Sequence, residues 1–373
     1  MLNATQNRFD PDYAVHPGEI LGETLEARGM KKSDLATRCG LAQKTISQII
    51  NGKAPVTSET AIQLERVLGV SASLWNNLES NYRLFTAKIS EQREREQHLG
   101  WLRKFPVATL KKWGVVLDVT SKAELVKHLL DFFGVASPDA WESYYRNYAV
   151  SYRKSSAFGD STESISTWLR IGMLRAAEIE TKPYDKDKFL ANLCEIRRLT
   201  TYSAKDFEPK LVQFCADAGV AVTFVPELPG THLSGATLWL TPTKALILLS
   251  LRHKTDDQFW FSFFHEACHV LRHAKKDVFI DVDHGDGSKT EEEKEADHFA
   301  RSFLVPESEY KLFVQTRVFY PANIEHFAQK INIAPGIVVG MLQHDRHIKF
   351  SWSNRLKKKF RFIEKYPILS KSH

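Results

Sequence analysis

Long apolar runs, a leader-like start and paired cysteines are all missing from this sequence. No stretch of about 18 consecutive apolar residues occurs, so no transmembrane helix is expected. The first residues, MLNATQNRFDPDYAVHPGE, lack the basic start and apolar core of a secretory signal peptide. The four cysteines form no CxxC pair, which argues against a disulfide framework or a thiolate zinc site. They are Cys39, Cys194, Cys215 and Cys268. We therefore expect a cytoplasmic protein with no membrane partner.

The composition is that of a globular protein with a mild excess of positive charge. The 373 residues are 43% hydrophobic and 26% charged, which argues against wholesale disorder and predicts two or three domains. The formal net charge of +6 suits a nucleic-acid partner but does not by itself indicate one. Basic residues concentrate between positions 28 and 58, and a second basic group at 355–361 is expected to be a solvated chain end.

Helical patterns dominate the first 218 residues. From residue 16 to about residue 82, apolar residues recur at helical spacing between glycine and proline breaks, which predicts five short helices in a domain over 1–82. The charged sequence KISEQREREQ predicts an exposed connecting helix over 83–98. Helical patterns without a chemical motif continue through a middle region, 99–218.

The pattern changes after residue 218. Runs of β-branched and aromatic residues separated by turn residues predict a small antiparallel sheet, with strands at Val220–Val225, Ala236–Leu240 and Ala245–Leu251. Two strong helices follow, Asp256–His273 and Glu291–Leu304. We therefore predict a mainly α fold with a small antiparallel β-sheet, a domain over 219–350, and a basic C-terminal tail over 351–373.

The third predicted helix, Gln43–Ile50, has the pattern of a DNA-reading helix. Ile46, Ile49 and Ile50 would face the core, while small polar and basic side chains remain on the outer face for base edges and phosphates. The candidate DNA-binding residues are Gln43, Lys44, Thr45, Ser47, Gln48 and Lys53. The pattern alone fits an ordinary small helical bundle equally well.

The same segment closely resembles a known family. HPGEILGETLEARGMKKSDLATRCGLAQKTISQIINGKAPVTSETAIQLERVLGVSASLWNNLESNY resembles the HigA-type antitoxins, a branch of the Xre-like helix-turn-helix repressors. The resemblance implies a homodimer on palindromic operator DNA, autoregulation, and sequestration of a cognate toxin. Ala42 departs from the pattern, because such helices often begin with a Ser or Thr cap.

A second motif, HEACH, lies in the helix predicted over 256–273. His265 and His269 are four residues apart and therefore point to the same side of a helix, where both imidazoles can reach one zinc ion. Glu266 can reach a water beside that ion and act as a general base, as in a zinc peptidase. A histidine-bearing helix without a metal is the alternative.

A third ligand is needed to choose between these readings. The metzincin pattern fails, because Arg272 stands in place of its glycine and Lys275 in place of its third histidine. The run EEEKEADHFARSFLVPE offers a carboxylate on the next helix instead, with Glu295 preferred and Glu292 second.

HEACH followed by EADHFARSFLVP resembles the ImmA/IrrE family of metallopeptidases. That resemblance implies a zincin-like domain with zinc held by His265, His269 and Glu295, and with Glu266 as the catalytic residue. It also implies a zinc-dependent endopeptidase that often cleaves a repressor in response to stress. A DNA-binding head would hold such a peptidase near its own locus, so we expect a substrate from its own circuit: the partner toxin, a second repressor or the 83–98 linker of this chain. The strand from Gly235 to Leu240 is a candidate edge for pairing with an extended substrate. The alternative is a non-catalytic antitoxin and autorepressor whose second domain only binds a toxin or senses a ligand.

Overall fold

The chain forms two compact units, Met1–Gln97 and His98–His373. A computed structural model describes residues 13–152, 162–282 and 290–362. Within these ranges, no helix is both long enough and apolar enough to cross a membrane.

Five helices surround one apolar core in the first unit. They are α1 (Pro17–Ala27), α2 (Lys32–Cys39), α3 (Gln43–Ile50), α4 (Ser58–Leu68) and α5 (Ala72–Gln97). His16 caps α1, because its Nδ1 accepts a hydrogen bond from the Gly18 N–H at 2.8 Å, and Pro17 occupies the first turn, where no N–H is required. Leu21, Leu64 and Trp75 are fully buried and bring α1, α4 and α5 together.

The fifth helix continues without a break through the charged segment. We predicted a domain ending at residue 82 and a separate connecting helix over 83–98, but α5 is a single helix of 26 residues. No glycine or proline interrupts it. Pairs four residues apart, such as Glu79–Arg83 at 2.6 Å, lie along its surface and favour the helix.

The described ranges of the second unit contain eleven helices and a small sheet, besides short 3-10 turns. The helices before the sheet are α6 (Val107–Lys112), α7 (Lys122–Phe133), α8 (Pro138–Tyr152), α9 (Thr162–Glu178), α10 (Lys186–Arg198) and α11 (Ala204–Ala216). The strands are β1 (Val220–Phe224), β2 (Leu233–Thr241), β3 (Lys244–Leu249) and β4 (Phe279–Val282). Between β3 and β4 lies α12 (Asp256–Arg272), and after β4 come α13 (Glu291–Leu304), α14 (Glu307–Gln315), α15 (Pro321–Lys330) and α16 (Pro335–His344).

The sheet is mixed, and the prediction of a purely antiparallel sheet is wrong. Its strand order is β1-β3-β2-β4, with β1 and β3 parallel and the other two pairs antiparallel. A hairpin joins β2 to β3, and these two strands are antiparallel. On its other side, β3 pairs with β1 and runs in the same direction as β1. The strand β2, which we expected as an edge for substrate, therefore lies inside the sheet, and β4 was not predicted.

Helices cover both faces of this sheet. Along β3, Ala245, Ile247 and Leu249 belong to one core with α11, α12 and α16, while Leu246 and Leu248 belong to the other with α7 and α9. Side chains alternate between the two faces of a strand, so an all-apolar strand requires cover on both sides. The predicted middle region, 99–218, supplies part of that cover, and it belongs to the same compact unit as the predicted domain over 219–350.

The basic cluster near the C-terminus is packed against this unit, and our expectation of a solvated end does not describe it. Phe360 is buried, and the backbone at Lys359 forms a bridge with Thr255 just before α12. Lys357 Nζ lies 2.6 Å from Asp257 Oδ2, and Asp257 is buried. The part of the tail from residue 363 onward lies outside the described residues.

Candidate metal centre and nucleic-acid interface

The HEACH motif lies in the core of the second unit. The helix α12 packs between the sheet and the helices α13 and α16, so it is buried on nearly all sides. His265 and His269 are each 1% exposed, and Glu266 and Cys268 are fully buried. These histidines are therefore not solvated residues on an outer helical face.

Three ligand atoms converge beside α12. The Nε2 atoms of His265 and His269 are 3.1 Å apart. Glu293 Oε2 lies 3.0 Å from Nε2 of His265, and Glu293 Oε1 lies 3.7 Å from Nε2 of His269. Two imidazole nitrogens and one carboxylate form a donor set that zinc accepts in catalytic sites, where a fourth position stays open.

The other ring nitrogens of both histidines are also engaged. His265 Nδ1 lies 3.0 Å from Asp297 Oδ1, and His269 Nδ1 lies 2.8 Å from His273 Nδ1. Metal-binding histidines commonly make such an outer hydrogen bond, which fixes the ring and its tautomer. Burial lowers the pKa of His269 to about 2, so this ring is neutral and offers a lone pair.

The carboxylate at this cluster is Glu293, whereas the sequence favoured Glu295. The structure places Glu295 on the outer side of α13, where Oε1 lies 2.7 Å from Arg272 Nη1 and Oε2 lies 3.3 Å from His273 Nε2. Its side chain is 43% exposed. Glu292, our second choice, is not part of the cluster either.

Helical spacing carried a signal for Glu293 that the sequence reading missed. Glu293 precedes the buried residues Ala296 and Ala300 by three and seven positions, so it continues their face of α13. Asp297 follows Glu293 by four positions and therefore lies on the same side. A pair of carboxylates at this spacing can reach both nitrogens of His265, as the structure shows.

Glu266 lies next to this cluster in a closely packed environment. Its Oε2 accepts a hydrogen bond from the Thr237 hydroxyl at 2.6 Å, while Oε1 has no hydrogen-bond partner within the described residues. The strand β2 passes so close that a Cβ at Gly235 would lie 2.5 Å from Oε1. Burial raises the pKa of Glu266 well above its usual range, and the negative charge of Asp281 adds to this effect. A cation at the neighbouring cluster would offset both effects, so the buried carboxylate fits a metal site.

A cavity of about 300 Å³ opens beside the cluster. Its lining includes Phe261, Asp281, Asp297, Arg301, Ile337 and Met341. Asp297 contacts His265, so the cavity borders the candidate metal centre. The Arg301 guanidinium is held by the Asp345 carboxylate at 2.7 and 2.9 Å, and acidic, neutral polar and apolar side chains form the rest of the lining.

In the first unit, α3 presents the predicted polar residues on its outer side. The turn before it uses Gly40 at φ 70°, a left-handed conformation that favours glycine. Ile46 and Ile49 are fully buried and hold α3 in the bundle. Ala42 stands at the N-cap position, and its methyl side chain cannot accept the capping hydrogen bond that a Ser or Thr would accept.

The outer face of α3 and the turn after it supply polar groups for a nucleic acid. Gln43, Lys44 and Lys53 are exposed, and Thr45, Ser47 and Gln48 are partly exposed. Amide and hydroxyl groups can read base edges in the major groove, whereas lysines bind phosphates. The structure thus places all six predicted residues on or just after one helix.

These features define a helix-turn-helix unit joined to a unit that resembles a metallopeptidase. Family models match both parts: a helix-turn-helix domain over residues 21–75 and an IrrE N-terminal-like domain of the peptidase M78 family over residues 215–334. The chain therefore belongs to the helix-turn-helix transcriptional regulators through its first unit, and it carries an IrrE-like peptidase-family domain in its second.

Curated relatives match the first unit. An uncharacterized HTH-type transcriptional regulator of Escherichia coli, YddM, is 35% identical over 72 residues, which cover 19% of this chain and 77% of the relative. Virulence-associated protein I of Dichelobacter nodosus is 34% identical over 80 residues, which cover 21% and 74%.

Solved structures of antitoxins also match this part of the chain. The Pseudomonas aeruginosa antitoxin HigA, solved with the higBA promoter, is 31% identical, and the match covers 23% of this chain and 94% of that one with a TM-score of 0.22. An addiction module antidote protein of the HigA family from Coxiella burnetii is 30% identical, with coverage of 22% and 91% and a TM-score of 0.21.

Proposed function

We propose that this protein is a DNA-binding transcriptional regulator whose second unit is a zinc-dependent endopeptidase. The observation that carries the peptidase proposal is the convergence of His265, His269 and Glu293 beside Glu266, whose Oε1 has no hydrogen-bond partner among the described residues. Zinc at these residues would supply Lewis acidity, which polarises a carbonyl group and makes a water molecule more acidic.

The residues around Glu266 support a general-base role. In the proposed reaction, Oε1 accepts a proton from the attacking water and then delivers it to the leaving amine. The Thr237 hydroxyl fixes Oε2, so that Oε1 remains directed toward the reacting atoms. Asp297 would orient His265 from behind, through its contact with Nδ1.

A protein substrate would lie across the same side of the second unit. The strand β4 is the outermost strand of the described sheet on this side, and an extended peptide can pair with an outer strand. The cavity beside Asp297 would receive one substrate side chain. The natural substrate in this proposal is a regulatory protein of the same circuit, such as a toxin or a second repressor.

The first unit would hold the protein at operator DNA. We propose that a homodimer places two copies of α3 on a palindrome, with Gln43 and Thr45 at base edges and with Lys44 and Lys53 at phosphates. The relatives named as antitoxins support a further role in binding a cognate toxin.

Metal analysis and a matched pair of variants test the peptidase proposal. We expect about one zinc ion per chain, because one His–His–carboxylate set is present. His265→Ala should lose the ion, whereas Glu266→Gln should retain it. Wild-type protein without zinc under metal-replete conditions would contradict the proposed site.

A comparison of wild type and Glu266→Gln in stressed cells separates a peptidase from a binding protein. Both proteins should bind zinc and operator DNA equally, and only the wild type should produce protein fragments and derepress its promoter. Identical fragments and identical promoter output in both strains would favour the non-catalytic antitoxin and autorepressor.

A further inference from the structure

The two histidines of the candidate metal centre have different outer partners. Behind His265 stands the carboxylate of Asp297, at 3.0 Å from Nδ1. Behind His269 stands a second imidazole, His273, whose Nδ1 lies 2.8 Å from Nδ1 of His269. A series of hydrogen bonds continues outward from this pair: His273 Nε2 lies 3.3 Å from Glu295 Oε2, and Arg272 Nη1 donates to Glu295 Oε1 at 2.7 Å.

The direction of each hydrogen bond follows from the outer carboxylate and the ligand atom. If Nε2 of His269 offers its lone pair to a metal, a neutral ring must carry its proton on Nδ1 and donate it. The Nδ1 of His273 is then the acceptor, so the proton of its own neutral ring lies on Nε2. That N–H donates to the Glu295 carboxylate, which accepts only.

The local backbone brings His273 back toward His269. The helix α12 ends at Arg272, and His273 has an extended conformation with φ −103° and ψ 166°. Its N–H still bonds to the carbonyl of His269 at 3.2 Å. The Phe279 ring of β4 stacks on His269 with centroids 4.1 Å apart and also contacts His273, so both imidazoles pack against one aromatic face.

We propose that His273 is a positioning residue that fixes the ring and tautomer of His269 for zinc, and that Glu295 with Arg272 fixes His273. This inference rests on the proposed metal site. It assigns Glu295 the end of a hydrogen-bond chain rather than a place among the ligands. It also explains why the side chain of His273, which lies directly behind a proposed ligand, is only 7% exposed.

Two conservative substitutions separate the inner hydrogen bond from the outer one. In His273→Asn, the side-chain oxygen takes the position of Nδ1 and can accept from His269, but it cannot reach Glu295. In His273→Gln, the amide takes the position of Nε2 and can bond to Glu295, but the acceptor for His269 is lost. A residue that only fills space would tolerate either amide to a similar degree.

The measurement is the zinc affinity of the full chain, determined by competition with a chromogenic chelator. We expect His273→Asn to bind zinc nearly as tightly as the wild type, and His273→Gln and His273→Ala to bind about 10–100-fold more weakly, which is the usual loss for an outer partner. Glu295→Gln should weaken binding less, and the double variant with His273→Ala should be no weaker than His273→Ala alone. Equal affinities for Asn and Gln, or additive losses in the double variant, would overturn the proposal.

Cobalt substitution supplies an independent readout. The visible absorption of bound Co²⁺ depends on the orientation of its ligands, so we expect it to change in His273→Gln and to match the wild type in His273→Asn. Glu295 is partly exposed, so Glu295→Gln tests the chain even if the larger changes at His273 impair folding. If neither the wild type nor His265→Ala binds zinc, the proposed metal site is wrong. If the wild type binds zinc and all His273 variants bind it with equal affinity, only the positioning role of His273 is wrong.

Discussion

Gly235 and Glu266 illustrate how closely a backbone can approach a reactive group. The strand β2 passes Glu266 where a Cβ would meet Oε1 at 2.5 Å, and this is the carboxylate oxygen without a hydrogen bond in the described part of the chain. A side chain here would displace Oε1 of Glu266 from its position. The sequence alone gave no reason to single out this glycine, because the contact joins residues that are far apart in the chain.

Gly235→Ala should therefore retain zinc but lose hydrolysis. We expect a loss of about 100-fold or more, since displacing a general base removes a contribution of that size. Cleavage of the natural substrate and zinc content, measured side by side, check this expectation. Gly100→Ala is the matched control, because a Cβ at Gly100 meets nothing within 4 Å. Full activity in Gly235→Ala would argue against Oε1 as the proton acceptor.

Asp256 should make the stability of the second unit depend on pH. Burial, followed by the charge of Asp257, raises the pKa of Asp256 to about 6 from 3.8. Between these values the folded state holds a proton that the unfolded state has released, so this contribution to stability falls as pH rises from about 4 to about 6. The full change is on the order of 3 kcal/mol.

Asp256→Asn should remove this decline in the free energy of unfolding. Urea unfolding between pH 4 and 7 measures the effect, and a decline of wild-type size in the variant would contradict it. Asp257→Asn is the contrasting change, because Asp257 forms a buried ion pair with Lys357 at 2.6 Å. Loss of the Asp257–Lys357 ion pair should destabilise the protein at pH 7.

At the scale of secondary-structure elements, α13 supplies the carboxylate of the candidate centre. Glu293→Gln should lower zinc occupancy sharply, because it removes the negative charge of the carboxylate whose oxygens lie 3.0 Å from Nε2 of His265 and 3.7 Å from Nε2 of His269. Glu291→Gln is the matched control on the same helix, since Glu291 is 86% exposed and pairs with Lys294. Zinc analysis after dialysis distinguishes the two. Equal occupancy in both variants would remove Glu293 from the proposed ligands.

The reading helix α3 permits a separate test in the first unit. Replacing Gln43 and Thr45 by Ala should relax the preference for the operator over unrelated DNA, because these residues are proposed to contact base edges. Lys44→Ala should weaken binding to all DNA about equally and reduce its dependence on salt. Gel shifts on both DNAs at two salt concentrations make the comparison. Unchanged binding in every variant would place the DNA contact elsewhere.

Sequence patterns predicted the long elements well and the pairings between elements less well. The bounds of α3 and α13 were predicted as the structure has them, because apolar spacing, caps and glycine stops are local signals. The parallel pairing of β1 with β3 was missed, since strand order depends on how distant segments meet. Glu295 was preferred because several glutamates border the buried stripe of α13. The spacing of Glu293 from Ala296 and Ala300 was a signal for Glu293, and the packing of α13 against α12 selects it.

At the scale of the whole molecule, the chain combines two compact units with separate cores. The first has its own apolar centre around Trp75, and the second has cores on both faces of its sheet. The proposed chemistry resides in the second unit and the proposed DNA contact in the first. A cut in the polypeptide between them would therefore separate regulator from peptidase.

The continuity of α5 determines how readily such a cut can occur. Proteases bind extended chains, so a scissile bond within residues 83–97 becomes accessible only in molecules where that part of the helix has transiently unwound. The rate of cleavage then follows the population of the unwound form.

Ser90→Pro should enlarge that population by about 100-fold, since an interior proline costs about 3 kcal/mol. Trypsin digestion of this variant against Ser90→Ala should show faster cleavage near Lys88 and Arg93, and equal rates would mean that the helix is already open. If the second unit cleaves this segment of its own chain, the fraction of molecules in which the helix is open would set the rate of self-cleavage.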